Sequence, residues 1–338
     1  MLGLGSVRLL LAISVLLLHA DFVTFEVAQI AVLTFFFISG FLMERSFPLY
    51  SSWQRFIFNR LLRLLPSFLF VALLTWLIIV TTSDDFRRSF AFIYLRPAAG
   101  YGPEVHPPLS ALASTEIDWK LPYLGFESEL VPQAWSIGNE IIYYLTIPLL
   151  ALLGLRWLLV IASLSIAFLG SQLLLRGDDF DYAIYTNLLA TFSFFLAGYL
   201  TSRFLDQRVL VPHRLRRVSA FLALTLIVAS YLLVVPDSLS IPIVIVYVVI
   251  LSALIVLGFL INGRRPGAEA ESALSRLLGD ASYPLYASHM IVIGYLNYFS
   301  ALTPLLLIFT ALLAALTIHL LLDRPLERAR RRIRSSVE

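Results

Sequence analysis

Two ionisable residues, Arg8 and His19, interrupt the first apolar stretch of the chain, SVRLLLAISVLLLHA. Eleven helical residues at 1.5 Å rise would separate them by roughly 16 Å along the axis, with Arg8 at one membrane boundary and His19 well across the lipid. An ionisable residue inside a span indicates function by default. Imidazole has an unperturbed pKa of about 6.5 and can accept a proton at working pH. A histidine at the membrane interface with no special partner explains the spacing equally well.

A carboxylate lies inside a second apolar stretch, AWSIGNEIIYYLTIPLL, at Glu140. Inserting such a charge near the middle of a span costs roughly 2.5–3.5 kcal/mol. Counted from Trp135, Glu140 lies roughly 7 Å deep, which is similar to the depth of His19 on an antiparallel span. A carboxylate that orients an imidazole is half of a general-base apparatus, so His19 and Glu140 are a candidate catalytic pair. A structural ion pair or hydrogen bond that fixes helix packing is the alternative, and it stays open.

Arg60 and Arg63 stand three residues apart in FIFNRLLRLLPSF and therefore share one helix face. Arginines at a helix start oppose the helix dipole, so the pair does not stabilise the helix. Two parallel guanidinium groups suit phosphate binding. The alternative is the general excess of arginine on the cytoplasmic side of membranes.

His289 lies about nine residues after Asp280 in LGDASYPLYASHMIVI, near the middle of a predicted span. Ser282, Tyr283 and Tyr286 keep one side of this helix polar. A histidine at this depth is improbable against lipid, so we expect it to line an interior cavity. As a catalytic residue it is a weaker candidate than His19.

Other chemistries lack support in the sequence. There is no cysteine, hence no thiolate nucleophile and no cysteine metal site. The metal, nucleotide-triphosphate and serine-hydrolase motifs HExxH, EF-hand loop, P-loop and GxSxG do not occur. His106, His213 and His319 carry no supporting pattern, and we interpret them as background.

The elements that must position these residues are membrane helices. The chain of 338 residues is 59% hydrophobic with a mean hydropathy of +0.86, far above a soluble domain. A span needs about 20 mostly apolar residues. The first stretch lacks a cleavage site, so it is interpreted as a span and not as a signal peptide. The sequence predicts an all-α bundle of about ten spans, at 7–24, 28–47, 61–80, 134–153, 157–175, 183–203, 218–235, 240–261, 281–299 and 302–322.

Charge sets the predicted topology. With the N-terminus in the cytoplasm, most of the 25 basic residues fall on the inner side, as the positive-inside rule requires. An even number of spans also places the basic tail, 323–338, in the cytoplasm. An anionic membrane leaflet explains that tail without any nucleic acid.

The domain organisation is simple. We predict a single transmembrane domain over 1–338. Its longest connection, 81–133, is rich in proline, glycine, acid and aromatic residues, and a loop of this length is usually functional or disordered. Its aromatic residues indicate a segment packed over the outer mouth of the bundle. No internal repeat supports an inverted-repeat transporter.

Six motifs occur in one order along nearly the whole chain, and in that order they resemble the acyltransferase-3 family of bacterial integral-membrane acyltransferases. They are R-x10-H (Arg8, His19), FFFISGFL (35–42), R-x2-R-x2-P (Arg60, Arg63, Pro66), WS-x3-E-x2-YY (Trp135, Ser136, Glu140, Tyr143, Tyr144), LGDASYPLYASH (278–289) and a terminal acid-x-Pro (Asp323, Pro325).

The resemblance implies ten core spans in a bacterial inner membrane, an acyl-CoA donor on the cytoplasmic side and a glycan or similar hydroxyl acceptor outside. Acetyl-CoA is the commonest donor in that family, and no metal is implied. Arg60 and Arg63 match its CoA-associated arginine pair, which we extend to Arg8, and His19 matches its catalytic histidine. The terminal acid is Asp323 where glutamate is expected, and no SGNH-type domain follows the last span.

The hypothesis is acyl transfer through the bundle, with the CoA phosphates near the arginines and the thioester near His19. Glu140 would hold the imidazole if the two side chains meet. The residues expected to line the substrate cavity are Trp135, Ser136, Asn139, Tyr144, Tyr283, Tyr286 and His289, of which Ser136, Asn139 and Tyr144 are candidates for stabilising the oxyanion. A transporter or flippase for anionic or lipid-linked sugars explains the intramembrane charges equally well, but it explains the arginine pair with the deep histidine and glutamate less specifically. A non-catalytic scaffold is a third possibility, which would tolerate the loss of His19.

Overall fold

The computed structural model describes residues 3–81, 131, 133–176, 188–205, 211–232, 241–260 and 272–335, and all regular structure in these ranges is helical. Short 3-10 and π-helical turns continue three of the helices at Phe47–Leu49, Val256–Leu260 and His319–Asp323. The α-helices are α1 Leu4–His19, α2 Phe25–Ser46, α3 Trp53–Thr81, α4 Ala134–Leu152, α5 Leu155–Arg176, α6 Leu188–Phe204, α7 His213–Leu232, α8 Ile241–Ile255, α9 Ala273–Tyr298, α10 Pro304–Ile318 and α11 Arg324–Ser335.

A helix lies in each of the ten windows predicted to span the membrane. Among the described residues, Phe25–Leu49, Trp53–Ile78 and Pro304–Ile333 are long and apolar enough to cross a bilayer. The all-α membrane class is confirmed to this extent, while the count of ten spans and the side of the termini stay predictions. Residues 82–130 and 132 of the predicted outer loop, with His106, lie outside the described residues.

Large apolar side chains cover the outside of the bundle. Leu305 is 83% exposed and Leu149 is 64% exposed. An exposed apolar surface on this scale suits contact with lipid better than contact with water. Others of the same kind are Leu69, Leu73, Trp76, Phe221, Ile250 and Phe309.

Helices α1 and α9 run parallel and cross closely at Gly5 and Gly279. A Cβ atom on Gly5 would overlap the carbonyl oxygen of Ser275, and one on Gly279 would press on the backbone of Gly5. Small residues permit such close crossings between membrane helices. This crossing sets the two helices in register from the level of Arg8 to the level of His19.

A second close crossing joins α2 to α6. A Cβ on Gly40 would overlap the carbonyl oxygen of Phe195, and one on Gly198 would overlap that of Phe37. Beyond the crossing, the Ser202 hydroxyl donates to the Glu44 carboxylate at 2.6 Å. The crossing therefore fixes the face that α2 turns toward the centre of the bundle.

The helices that carry His19 and His289 end in the same way. After His19, Asp21 has φ 59°, with Asp21 N–H donating to Leu18 O and Phe22 N–H to Leu17 O. Ser300 has φ 51° in the matching position after α9. This is the Schellman pattern of a helix end, with a left-handed residue that satisfies the last carbonyls. It places His19 in the final turn of α1.

Side-chain hydrogen bonds tie α9 to its neighbours. Gln133, just before α4, donates through Nε2 to the carbonyls of Ala287 at 2.7 Å and Tyr286 at 3.2 Å. The Tyr283 hydroxyl donates to Leu64 O of α3 at 2.7 Å. These bonds fix the height of α4 and of α3 against α9, and so decide which side chains meet inside the bundle.

Candidate active site

A cavity of about 80 Å³ lies between α1, α2, α3, α4 and α9. This is room for several water molecules or for a slim unbranched chain. Apolar side chains of α2 form much of one wall. The polar residues that line the cavity are Arg8, Ser39, Arg63, Ser136, Glu140, Tyr144, Ser282, Tyr283 and Tyr286.

The carboxylate of Glu140 is held on this cavity by two hydroxyl groups. Ser39 donates to Oε1 at 2.9 Å, and Tyr144, one turn further along α4, donates to the same oxygen. Hydrogen bonds to an ionised acceptor are stronger than those between neutral groups. The charge is therefore tolerated inside the bundle because α2 and α4 solvate it.

Arg8 and Arg63 bring two positive charges to the same cavity. Arg8 lies within electrostatic range of Glu140, Arg63 and Asp280. Within the described ranges, neither guanidinium group donates a hydrogen bond. The N–H groups of both side chains are thus left for an anion or for water.

Arg60 has a different environment from Arg63. It is 7% exposed and lies outside the cavity lining. Its guanidinium donates to Tyr50 OH at 3.2 Å and to Ser46 Oγ at 3.4 Å, and it lies over the ring of Phe56 at 5.4 Å. The predicted arginine pair shares a face of α3, but Arg63 alone of the two reaches the cavity.

His19 and His289 form a pair at the other end of the α1/α9 contact. Their ring centroids are 4.9 Å apart, and His289 Nε2 lies 3.4 Å from His19 Nδ1. His19 Nδ1 is 2.9 Å from Val15 O, and His289 Nδ1 is 2.7 Å from Tyr286 O. His289 is fully buried, whereas His19 is partly exposed.

These contacts assign the tautomers of the neutral rings. A carbonyl oxygen can only accept, so each Nδ1 must carry the hydrogen that it donates to its own helix. His289 Nε2 then turns a lone pair toward the Nδ1–H of His19. The remaining nitrogen, His19 Nε2, also has a free lone pair, and it makes no hydrogen bond to a described residue. That nitrogen has a lone pair that can accept a proton, as a general base requires.

The expected contact between His19 and Glu140 is absent from the hydrogen bonds of the described residues. The reason is the height of α4, whose start at Gln133 is bonded to α9 at the level of Tyr286 and Ala287. Seven further residues carry Glu140 roughly 10 Å along the axis, away from His289. In the structure, Glu140 therefore lies on the cavity with Arg8 and Arg63, and His19 contacts His289.

The remaining predicted cavity residues divide into two groups. Ser136, Tyr144, Tyr283 and Tyr286 line the cavity, with Ser136 Oγ and Tyr286 OH 2.7 Å apart. The others pack between helices. Trp135 meets Phe36 edge-on at 6.4 Å, and Asn139 donates to Thr191 Oγ1 at 3.4 Å.

Tyr286 separates the cavity from the histidine pair. It lines the cavity, its carbonyl accepts from His289, and its ring is 5.8 Å from the His289 ring. Among the described residues, no group of three or more His, Asp or Glu side chains is arranged to hold a metal ion.

Sequence reasoning missed two features of the site. It did not assign Ser39 as a partner of Glu140, although Ser39 stands in the motif FFFISGFL. It also did not assign Ser67, whose hydroxyl donates to Asp323 Oδ1 at 2.5 Å and ties the terminal acid to α3. Ser67 directly follows the proline of the arginine motif, and that position is the one signal that pointed to it.

Comparison with known proteins gives one match. The family model for an acyltransferase domain matches residues 1–324 of the 338. No curated protein and no solved structure gives a significant match. The family match confirms the resemblance drawn from the six ordered motifs.

Proposed function

The chain belongs to the acyltransferase-3 family, and we propose that it moves an acyl group, most simply acetyl, from acyl-CoA to a hydroxyl group. Its apolar helices and its family make it a membrane acyltransferase. The proposal adds the donor, its cytoplasmic side, an envelope or exported glycan as acceptor on the outer side, a bacterial inner membrane, and His19 as general base.

The arginine end of the bundle supports acyl-CoA as the donor. Arg63 and Arg8 offer free guanidinium N–H groups at a cavity whose other walls are largely apolar. The CoA phosphates would bind near Arg60 and Arg63, where guanidinium groups suit phosphate oxygens. The slim pantetheine arm would occupy the cavity and carry the thioester past Tyr286 toward the histidines.

The histidine end supports transfer to a hydroxyl. His19 Nε2 would accept the proton of the acceptor hydroxyl as that oxygen forms a bond to the thioester carbonyl carbon. When the tetrahedral intermediate collapses, the carbon–sulfur bond breaks and the CoA thiolate takes the proton from His19. The products are an ester and CoA–SH. His289 acts on this step only through His19, by accepting from its Nδ1–H.

Glu140 has a changed role in this proposal. Its carboxylate lies with the arginines and is solvated by Ser39 and Tyr144. It would balance the two guanidinium charges of Arg8 and Arg63 and keep the cavity wet. It touches the donor arm and does not orient the imidazole.

The observation that carries the proposal is the free Nε2 lone pair of His19, held by contacts to Val15 and His289. The test is transfer of labelled acetyl from acetyl-CoA to a panel of glycans by the purified, reconstituted protein. We expect His19→Ala to lower the rate about 10²–10⁴-fold, the usual contribution of a general base. His213→Ala, at an exposed histidine that starts α7, is the matched control.

The outcomes separate the rival functions. A folded His19→Ala protein with full transfer activity would reject the base role. Movement of a labelled glycan across the vesicle membrane without acylation would instead support a transporter or flippase. Dependence of transfer on acetyl-CoA in the wild-type protein is the first result that the proposal requires.

A further inference from the structure

The tail helix α11 is fixed against α3. Asn59 Nδ2 donates to the carbonyl oxygen of Arg330 at 2.8 Å, and Asn59 is 3% exposed. Just before α11, the Asp323 carboxylate accepts from Ser67 of the same helix α3. Two hydrogen bonds thus place Arg330 beside the turn of α3 that carries Arg60 and Arg63.

The Arg330 side chain has no hydrogen-bond or salt-bridge partner in the part of the chain that the structure describes. It is half-buried, and its Nε is a buried atom with no hydrogen-bond partner among the described residues. The same is true of Nε in the buried Arg60. Arg330 lies within electrostatic range of both Arg60 and Arg63. Three guanidinium groups from two helices therefore share one region of the bundle.

Carboxylates of the described residues offset the charge of this cluster only in part, with Glu140 on the cavity beside Arg63. The acid within electrostatic range of Arg330 is Glu327, one turn earlier on α11. Its Oε1 already accepts from Arg331 Nη2 at 2.7 Å and from Arg331 Nε at 3.1 Å. Like charges in a partly desolvated region repel, and unpaired buried donors cost free energy. The arrangement is unfavourable for stability unless an anion completes it.

We infer that Arg330 joins Arg60 and Arg63 in one anion site that takes a ligand with two or more phosphate groups. This inference rests on the proposed function, in which the ligand is the nucleotide end of acyl-CoA. The same phosphate chemistry occurs in anionic lipid headgroups, and the experiment separates the two sources. Arg330 lies beyond residue 324, where the family match ends, so the tail adds a group to the site.

The chemistry favours phosphate over a single carboxylate. A guanidinium group presents its donors in a rigid planar fork that binds two oxygens at once. Three such groups need more acceptor oxygens than one carboxylate has, whereas a diphosphate with a separate phosphate monoester supplies them. The cavity beyond Arg63 is apolar enough for the uncharged remainder of such a donor.

The experiment compares Arg330→Gln with Arg331→Gln, which removes an exposed arginine one residue along the same helix. Binding of adenosine 3′,5′-bisphosphate and of CoA is measured at equilibrium, without any transfer step. We expect Arg330→Gln to weaken both at least about tenfold, because hydrogen bonds to charged groups are the stronger class. Arg331→Gln should leave both unchanged. Arg330→Lys, which keeps the charge and loses the fork, should lie between them.

A phosphate-free donor sharpens the test. If the protein transfers acetyl, Arg330→Gln should raise KM for acetyl-CoA and leave kinetics with S-acetylpantetheine unchanged, since that donor has no phosphate. If the wild-type protein binds CoA but transfers nothing, the proposed function fails, and the equilibrium measurement still decides the anion site.

Measurements of stability and of lipid binding distinguish a CoA site from a lipid-headgroup site. Without ligand, Arg330→Gln should melt no lower than wild type, since it removes like-charge repulsion. Unchanged CoA affinity together with Arg330-dependent retention of cardiolipin, whose headgroup has two phosphates, in vesicles of phosphatidylcholine and cardiolipin, would assign the site to a lipid headgroup. The inference would be overturned if Arg330→Gln bound both CoA and the anionic lipid as tightly as wild type. An equal loss of binding in Arg331→Gln would also overturn it.

Discussion

The two ends of the α1/α9 pair differ in how their ionisable groups are satisfied. At one end, His19 and His289 each donate Nδ1–H to a carbonyl of their own helix, and they also face each other. At the other end, Arg8 and Arg63 point into a cavity without a hydrogen-bond partner among the described residues. The histidine end is hydrogen-bonded within the protein, and the arginine end has N–H groups left for an anion or for water.

The difference agrees with the roles that the proposed function gives to the two ends. In the proposed function His19 is the base, and a base must have its lone pair in place before substrate arrives. The hydrogen bonds of His19 to Val15 and His289 hold the ring in that orientation. A binding site for a charged ligand gains affinity by leaving its donors unpaired until the ligand arrives. Glu140 belongs to the second end, where its carboxylate offsets part of the positive charge.

The largest effect is expected when a guanidinium group is removed from the arginine end. Arg63→Ala should raise KM for acyl-CoA by about tenfold to a hundredfold, because it removes charge-assisted hydrogen bonds to phosphate. The value of kcat should change little, since the histidine end is intact.

The control for this prediction is Arg55→Ala, on the exposed side of the same helix α3. A rise in KM of the same size in both variants would mean that general positive charge, and not the position of Arg63, attracts the donor. Raising the salt concentration should reduce the difference between wild type and Arg63→Ala.

Removing His289, the partner of His19, tests the histidine end. His289→Leu should lower kcat about tenfold, because the Nδ1–H of His19 loses one of its two acceptors and the ring is held less firmly. His289→Gln should recover part of the loss, since the amide oxygen of glutamine can accept the same hydrogen. KM for acyl-CoA should stay constant in both variants. A loss that glutamine does not relieve at all would indicate packing in place of hydrogen bonding.

Much of this site was predictable from the sequence. Side chains three or four residues apart on α4 and α9 share a face. Of the residues expected to line the cavity, the lining includes Ser136, Tyr144, Tyr283 and Tyr286, and it does not include Trp135, Asn139 and His289. Periodicity within one helix is enough for such predictions, and the apolar windows located the helices themselves.

The axial position of one helix relative to another could not be predicted from the sequence. The level of α4 depends on two hydrogen bonds from Gln133 to carbonyls of α9, and the contact of His19 with His289 depends on the crossing at Gly5 and Gly279. These partners are more than 150 residues apart in sequence. Glu140 lies about two helical turns from the level at which α4 is bonded to α9, and this difference in axial position separates it from His19.

The smallest expected effect concerns Glu140 itself. Glu140→Gln removes the anion that offsets Arg8 and Arg63 but keeps a side chain of the same shape that can still meet Ser39 and Tyr144. Without ligand, the melting temperature should fall by a few degrees, at about 2–4 °C for each kcal/mol lost. Added CoA should then raise it by more in Glu140→Gln than in wild type, because the phosphate supplies the missing negative charge.

The control for this last comparison is Glu44→Gln, at a carboxylate of α2 that Ser202 and Arg203 contact outside the cavity. Glu44→Gln also removes a negative charge that affects the melting temperature. The increase in its melting temperature on adding CoA should equal that of wild type. If Glu140→Gln instead lowers kcat with no change in melting temperature or in the CoA-dependent increase, the carboxylate acts on the reaction and not on the charge balance of the arginine end. The two ends of the α1/α9 pair would then share one catalytic apparatus, and the contrast between them would not hold.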